Sequence, residues 1–300
     1  MQVISSASMT PISWPDLVVH PMGSIPFLIE PYIPEGGIIL LYGKTRLGKS
    51  PLTWEIARCV GSGEPFFDRP VNPGTVLYLE LDASRRLVQP RLELLTPSAN
   101  VWFEFLSPCH IVSSPLQLNL RMWQAELEPK LVIVNTLRGI HQGEERDASL
   151  PLRIYQTFQA IFKGAAILFV HHDKKSSGIP GDTSDPDEAF SGHMAWLNHC
   201  QTGLHLRRQG GKEAGLLRLE HTKSQVSQEA PPITLQLDAD GSHLVGYSAK
   251  KLAQILGVYQ LLPTDMTKTE RIRLVAPQVG LKERQVWTYL SRLPDVTAIP

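Results

Sequence analysis

The sequence predicts an α/β protein: a mostly parallel central sheet, late antiparallel strands, and a small C-terminal helical domain of helix-turn-helix or winged-helix type. Three observations predict it. Apolar, strand-like runs alternate with helix-like segments over much of the chain. A glycine-rich turn directly follows the first strong run. Beyond residue 240 the pattern becomes helical to the end. Together they favour a doubly wound sheet with a helical appendage.

The glycine-rich turn fits the pattern G-x-x-x-x-G-K-[ST], known as the P-loop. Its glycines allow a tight turn in which successive N–H groups line one concave site, and the helix that follows adds a positive N-terminal end. The lysine of the pattern reaches β- and γ-phosphates, and its serine places a hydroxyl on Mg²⁺. The predicted ATP-binding residues are Gly43, Lys44, Thr45, Arg46, Leu47, Gly48, Lys49 and Ser50.

The surroundings of the turn favour a phosphate site over an ordinary glycine-rich loop. Residues 37–42 are an apolar run of β-forming residues, typical of a buried strand. Residues 52–60 carry apolar side chains at helical spacing, and Pro51 falls in the first helical turn, where its missing N–H is tolerated. Strand, glycine turn and helix is the order that a phosphate site requires.

The remaining elements of the core follow from the same patterns. We expect strands at 75–82, 101–106, 130–136 and 165–170, separated by helices at 84–95, 118–127 and 152–162. We expect late antiparallel strands at 203–208, 215–220 and 233–237. Because open α/β sheets bind ligands beyond the carboxyl ends of their strands, polar residues at those ends are candidate site residues.

The chain divides into three predicted parts: an irregular N-terminal arm at 1–25, an ATPase core at 26–240 and a C-terminal domain at 241–300. Two helices around Gly280 have helix-turn-helix spacing. The second carries side chains suited to phosphates and base edges, so we predict DNA binding by Lys282, Arg284, Gln285, Thr288 and Arg292. The alternative is a three-helix packing or oligomerisation module.

Composition sets further limits. The 29 basic and 29 acidic residues balance, so a nucleic-acid site must be a local patch or the inner face of an assembly. The three cysteines match no metal or disulfide spacing. We found neither a signal peptide nor an apolar run long enough for a membrane helix, and therefore expect a cytoplasmic protein without membrane partners.

An ordered set of motifs resembles the RepA-like hexameric replicative helicases, RecA-type P-loop ATPases carried by plasmids, phages and other mobile elements. The resemblance spans roughly residues 22–240. It comprises Pro26–Ile29, Pro34–Gly37, the P-loop, Gly63–Phe67, Gly74–Leu79, Arg85–Leu87, Leu131–Val134 with Thr136 and Leu137, His171 and His172 with Lys174, Phe190–Gly192 and Thr222–Lys223. It implies a RecA-like fold, ATP and Mg²⁺ as cofactors, DNA as partner, and a ring of identical subunits, expected to be a hexamer.

The resemblance also implies roles for strand-end residues. The carboxylate that positions the attacking water corresponds to Asp82, with Glu80 as the second choice. The acid that holds Mg²⁺ through water corresponds to Asn135, whose amide oxygen accepts a hydrogen bond but carries no charge. The histidine that senses the γ-phosphate or contacts DNA corresponds to His172, next to His171.

Basic residues complete the implied site. Lys223 corresponds to a residue that reaches the ATP of a neighbouring subunit, while Gln225 stands where the family has an arginine; Arg207 and Arg208 are substitutes. Lys174 and Lys175 would line the channel of the ring, where a local basic patch follows the DNA backbone.

The resulting hypothesis is an ATP-hydrolysing DNA motor that acts as a ring. The altered acidic positions leave its hydrolysis rate open. The alternative is a hydrolysis-poor, ATP-dependent scaffold, a recombination mediator or a replication regulator of a mobile element.

Overall fold

The computed structural model describes residues 11–19, 23–111, 115–141, 149–172, 195–209, 216–237, 244–247, 249–263 and 265–290. Within them lies a nine-stranded mixed sheet with helices on both faces. The predicted α/β class is confirmed.

Eleven strands occur in the described ranges. They are β1 (Phe27–Ile29), β2 (Ile33–Pro34), β3 (Ile38–Gly43), β4 (Val76–Glu80), β5 (Val101–Phe105), β6 (Leu131–Asn135), β7 (Ala166–His172), β8 (Thr202–Gln209), β9 (Leu216–Ser224), β10 (Ile233–Leu237) and β11 (Leu244–Tyr247). Strands β1 and β2 form a separate antiparallel pair. The other nine form one sheet in the order β11-β10-β9-β8-β3-β7-β6-β4-β5.

Helices connect these strands and follow them. They are α1 (Trp14–Val19), α2 (Lys49–Ser62), α3 (Arg85–Leu92), α4 (Leu116–Leu127), α5 (Leu150–Ile161), α6 (Ala195–His199), α7 (Ala249–Gln260), α8 (Lys268–Gln278) and α9 (Glu283–Leu290), and a short 3-10 turn covers Leu137–Ile140.

The strand directions divide the sheet into two blocks. Strands β3 to β7 are all parallel to their neighbours, as their long crossover helices require. Strand β8, which we expected among the antiparallel strands, runs parallel to β3 and is antiparallel only to β9. It is therefore the junction between the parallel block and the antiparallel extension β9-β10-β11.

The two faces of the sheet are buried under different helices. In the central strand β3, Ile39 and Leu41 pack in the core with α2, whereas Leu40 and Tyr42 pack on the face that α4, α5 and α6 cover. Because both faces are covered, every residue of β3 is buried and the strand is apolar almost throughout. This packing fixes the position of the turn that follows β3.

Three elements differ from the sequence expectation. The N-terminal arm, expected to be irregular, contains the helix α1, whose Trp14 is 82% exposed. Residues 27–34 form the small β1–β2 pair, which is too short to give a periodic signal. Strand β11 pairs with β10 and continues the sheet past residue 240, where we predicted the core to end.

The three C-terminal helices have an apolar cluster of their own, which includes Ile255, Val275 and Val286. Helix α8 begins with a capping box: the Thr267 hydroxyl accepts a hydrogen bond from the Glu270 N–H, and the Glu270 carboxylate accepts one from the Thr267 N–H. Gly280 lies in the α8–α9 turn with φ of 65°. The predicted pair of helices around a glycine is present, and its role in DNA binding stays a prediction.

Candidate nucleotide-binding site

The candidate site lies at the carboxyl edge of the parallel strands. Strand pairing places Gly43 beside His172 and Glu80 beside Asn135. Four neighbouring strands therefore bring the glycine-rich turn, an acid, an amide and a histidine to one edge of the sheet. Such an edge is where open α/β sheets bind their ligands.

The turn has the backbone geometry that its glycines predict. Gly48 has φ of 94°, a left-handed conformation that favours glycine, and forms the N-cap of α2. Gly43 is required for another reason: a Cβ built on it would lie 2.4 Å from the Leu206 carbonyl oxygen of β8. The first glycine therefore allows close approach to β8, and the second allows the turn into the helix.

Lys49 holds the turn together from inside. Its ammonium donates hydrogen bonds to the carbonyl oxygens of Gly43 at 2.6 Å and Lys44 at 2.9 Å, and lies 3.2 Å from Nδ1 of His172. Only 6% of the residue is exposed. The positive charge therefore sits on the inner side of the loop, next to the end of β7.

Ser50, Glu80 and Asn135 form a connected polar group beside the turn. Nδ2 of Asn135 donates to Oε2 of Glu80 at 2.8 Å and lies 3.4 Å from the Ser50 hydroxyl. Oε1 of Glu80 accepts hydrogen bonds from the backbone N–H groups of Asp82 at 2.9 Å and Ala83 at 3.0 Å. Burial raises the pKa of the Glu80 carboxyl, and the three donors oppose that rise.

Two residues that the sequence analysis missed, Thr53 and Tyr78, pack next to this group. The Thr53 hydroxyl donates to the Ser50 carbonyl at 2.9 Å and lies 2.8 Å from the Tyr78 hydroxyl. Both side chains are fully buried, and burial raises the pKa of Tyr78 well above its usual value. The available signal was spacing: Tyr78 shares a strand face with Glu80, and Thr53 lies one helical turn after Ser50.

Asp82, our first choice for the water-positioning acid, lies apart from this group. Its side chain is exposed, two residues beyond the end of β4, and only its backbone N–H contacts Glu80. The structure thus brings Glu80, our second choice, next to Asn135, which also lies beside Ser50, while Asp82 is exposed.

The two predicted histidines lie at the end of β7, next to the turn. His171 is buried with its ring 6.1 Å from that of Trp196, and His172 is half-buried beside Lys49. Lys174 and Lys175 lie outside the described residues.

The basic residues of the late strands occupy two separate places. Lys223 donates to the carbonyl oxygens of Leu197 and Asn198, both at 2.7 Å, at the end of α6.

Arg207 pairs with Glu220 at 2.5 Å, and Arg208 is exposed. Both arginines lie at the carboxyl end of β8, past the residue that pairs with Tyr42.

Four of the five predicted DNA-binding residues, Lys282, Arg284, Gln285 and Thr288, lie on α9 or directly before it. Lys282 is exposed, and its N–H donates to Oε1 of Gln285 at 2.8 Å. Arg284 and Thr288 belong to α9, but the positions of their side chains are not described, and Arg292 lies outside the described residues.

In the described part of the chain, no helix has the length and apolar character to cross a membrane.

Comparison with known proteins identifies the family of this chain. The AAA-domain family AAA_25 matches residues 8–178, which is more than half of the sequence. The chain belongs to this family. No curated protein sequence matches it significantly.

Solved structures similar to this AAA-domain protein have the same RecA-type P-loop fold. A solved ATPase domain has 9% sequence identity and a TM-score of 0.58 over 77% of this chain and 95% of that one. A DnaB-like replicative helicase, whose structure was solved with its interactions with primase, has 9% identity and a TM-score of 0.57 over 77% of this chain and 66% of that one. A KaiC-like protein of Pyrococcus horikoshii has 14% identity and a TM-score of 0.52 over 74% and 94%. The predicted RecA-like core is confirmed.

Proposed function

We propose that this AAA-domain protein binds and hydrolyses ATP and acts as a DNA motor, assembled as a ring of identical subunits. The observation that carries the proposal is the P-loop at the carboxyl edge of the sheet, with Lys49 inside it and the Ser50–Asn135–Glu80 group beside it. The similarity in fold to a DnaB-like replicative helicase supports the DNA motor.

The residues at this edge fit a nucleoside triphosphate with Mg²⁺. The left-handed Gly48 turns backbone N–H groups into the loop at the N-terminus of α2, which suits phosphate oxygens. Lys49 is the cation that exchanges its two loop carbonyls for phosphate oxygens, and Ser50 supplies a hydroxyl for Mg²⁺. The metal ion, when bound, neutralises phosphate charge. His172, beside Lys49, is placed to sense the γ-phosphate.

DNA-stimulated ATP turnover is the first expected result. We expect steady-state hydrolysis of ATP by the full chain to rise when single-stranded DNA is added, because a motor couples the two ligands. Mass photometry with and without a non-hydrolysable ATP analogue should show a ring, expected to be a hexamer, that the analogue stabilises. A protein that stays monomeric with both ligands would rule out the ring.

The hydrolysis-poor scaffold remains the second candidate, because a specific observation favours it. Asn135 is uncharged where the resemblance to RepA-like helicases implies an acid, and Asp82 is exposed. Loss of a positioned acid or base lowers turnover by about 10²–10⁴-fold. Tight ATP binding with negligible turnover, with and without DNA, would therefore exclude the motor and favour the scaffold.

We further propose that Arg207 and Arg208 act on the ATP of a neighbouring subunit. They lie near the end of β8 at the same edge of the sheet as the P-loop, where Arg208 is exposed and Arg207 pairs with Glu220. Lys223 instead donates to two carbonyl oxygens of α6. The Arg207→Ala/Arg208→Ala double variant is expected to lower turnover by on the order of 10³-fold, the effect of an arginine finger, with nucleotide affinity unchanged within about threefold. A larger loss of turnover in Lys223→Ala would assign the role to Lys223.

The C-terminal helices are proposed to dock on duplex DNA through α9 and the exposed Lys282 that directly precedes it. Footprinting of the full chain and of a variant that lacks residues 249–300 tests this proposal. Unchanged protection in the shortened variant would indicate a packing or oligomerisation module instead.

A further inference from the structure

The amide of Asn135 presents its hydrogens to the candidate metal position. Nδ2 lies 2.8 Å from Oε2 of Glu80 and 3.4 Å from the Ser50 hydroxyl. The opposite amide orientation would set its oxygen against a carboxylate oxygen, and two acceptors without a hydrogen between them repel. The ionised Glu80 therefore fixes Asn135 as a donor, so its amide oxygen does not face Ser50.

Glu80 is a buried acid that Asn135 links to Ser50. The residue is 1% exposed, and its carboxylate accepts hydrogen bonds from Asn135 and from the N–H groups of Asp82 and Ala83. None of these three donors carries a positive charge. A buried carboxylate costs free energy unless a cation or several donors compensate it, so a nearby cation would stabilise it further.

We propose that Glu80 supplies the negative charge that holds Mg²⁺ at Ser50, acting through metal-bound water, while Asn135 positions the Glu80 carboxylate. The acid that the resemblance to RepA-like helicases implies at the end of β6 is thereby replaced by Glu80 on the neighbouring strand β4, where Glu80 pairs with Asn135. Mg²⁺ keeps several of its waters in nucleotide sites, so an acid one water away contributes to its binding. This inference rests on the proposed nucleotide site.

The proposal separates the roles of the two acids. Glu80 is assigned to metal binding because its carboxylate accepts a hydrogen bond from Asn135, the side chain that lies 3.4 Å from the Ser50 hydroxyl. Asp82 is exposed beyond the strand end and contributes no side-chain hydrogen bond to this group in the described structure. Asp82 is then the acid that positions the attacking water. Its substitution should lower turnover and leave metal binding unchanged.

The experiment measures how much Mg²⁺ strengthens binding of a non-hydrolysable ATP analogue to the full chain, by calorimetry with and without the metal ion. We expect Glu80→Gln to reduce this Mg²⁺-dependent gain by about 10–100-fold and to leave Mg²⁺-free affinity nearly unchanged. Asp82→Asn, which removes the neighbouring acid, is the matched control and should retain the full gain.

The double variant Glu80→Gln/Asn135→Asp exchanges acid and amide across the same hydrogen bond. We expect it to recover most of the Mg²⁺-dependent gain, since the charge returns beside Ser50; this keeps the test decisive even if Glu80→Gln is poorly folded. An undiminished gain in Glu80→Gln, a lost gain in Asp82→Asn, or a swap that restores nothing would overturn the inference. Wild-type protein that binds no analogue at all would instead overturn the proposed function.

Discussion

Lys49→Ala is expected to weaken nucleotide binding strongly. The ammonium lies inside the turn, on the carbonyl oxygens of Gly43 and Lys44, and is placed to pass to phosphate oxygens. A hydrogen bond to a charged group contributes about 1.5–3 kcal/mol, which corresponds to about 10- to 150-fold in affinity. Turnover should fall further, by on the order of 10²–10³-fold, because the cation also stabilises charge in the transition state. Titration with a fluorescent ATP analogue measures the first effect.

The control for this variant is Lys163→Ala, which removes an exposed lysine beyond the end of α5. It should bind and hydrolyse ATP as the wild type does, since net charge changes equally in both variants. Equal affinity in Lys49→Ala and wild type would contradict the assignment of this turn as a phosphate site.

Gly43→Ala is expected to destabilise the protein strongly. The added Cβ would lie 2.4 Å from the Leu206 carbonyl oxygen, and backbone in the centre of a sheet cannot move away cheaply. Overpacking of this kind costs about 1–3 kcal/mol, and here the clash is with backbone, so we expect the upper half of that range. Chemical denaturation followed by circular dichroism measures the change in the free energy of unfolding.

Gly257→Ala provides the matched comparison. This glycine lies inside α7 with no atom within 4 Å of a Cβ. Alanine favours helix over glycine by about 1 kcal/mol, so this variant should be neutral or more stable. If the two variants had the same stability, the close approach between the turn and β8 would not be the reason for glycine at position 43.

Much of the site was predictable because its determinants are local. Strand, turn and helix around residues 38–62 are encoded by an apolar run, two glycines and helical spacing within one short stretch. The same holds for β4, β6 and β7, which are buried on both faces and therefore read as apolar runs. Acids and amides at the ends of such strands were identifiable as site candidates before any register was known.

The choice between the two acids was not predictable from local pattern. Sequence likeness favoured Asp82, but the pairing of β4 with β6 sets Glu80 beside Asn135 and leaves Asp82 exposed. A shift of one residue in register would have reversed the faces of all these side chains. The direction of β8 was not predictable for the same reason: its parallel partner β3 is more than 150 residues earlier in the chain.

The sequence by itself determined the glycine-rich turn of P-loop pattern, the alternating α/β core and the candidate residues at the strand ends, because periodicity and glycine conformation act over a few neighbouring residues. Tertiary structure alone decided that Asn135 links Glu80 to Ser50, that Asn135 serves as a donor, and that Lys223 contacts the end of α6. Each of these depends on which distant strand or helix lies alongside, and burial between packed layers, not local propensity, sets that arrangement.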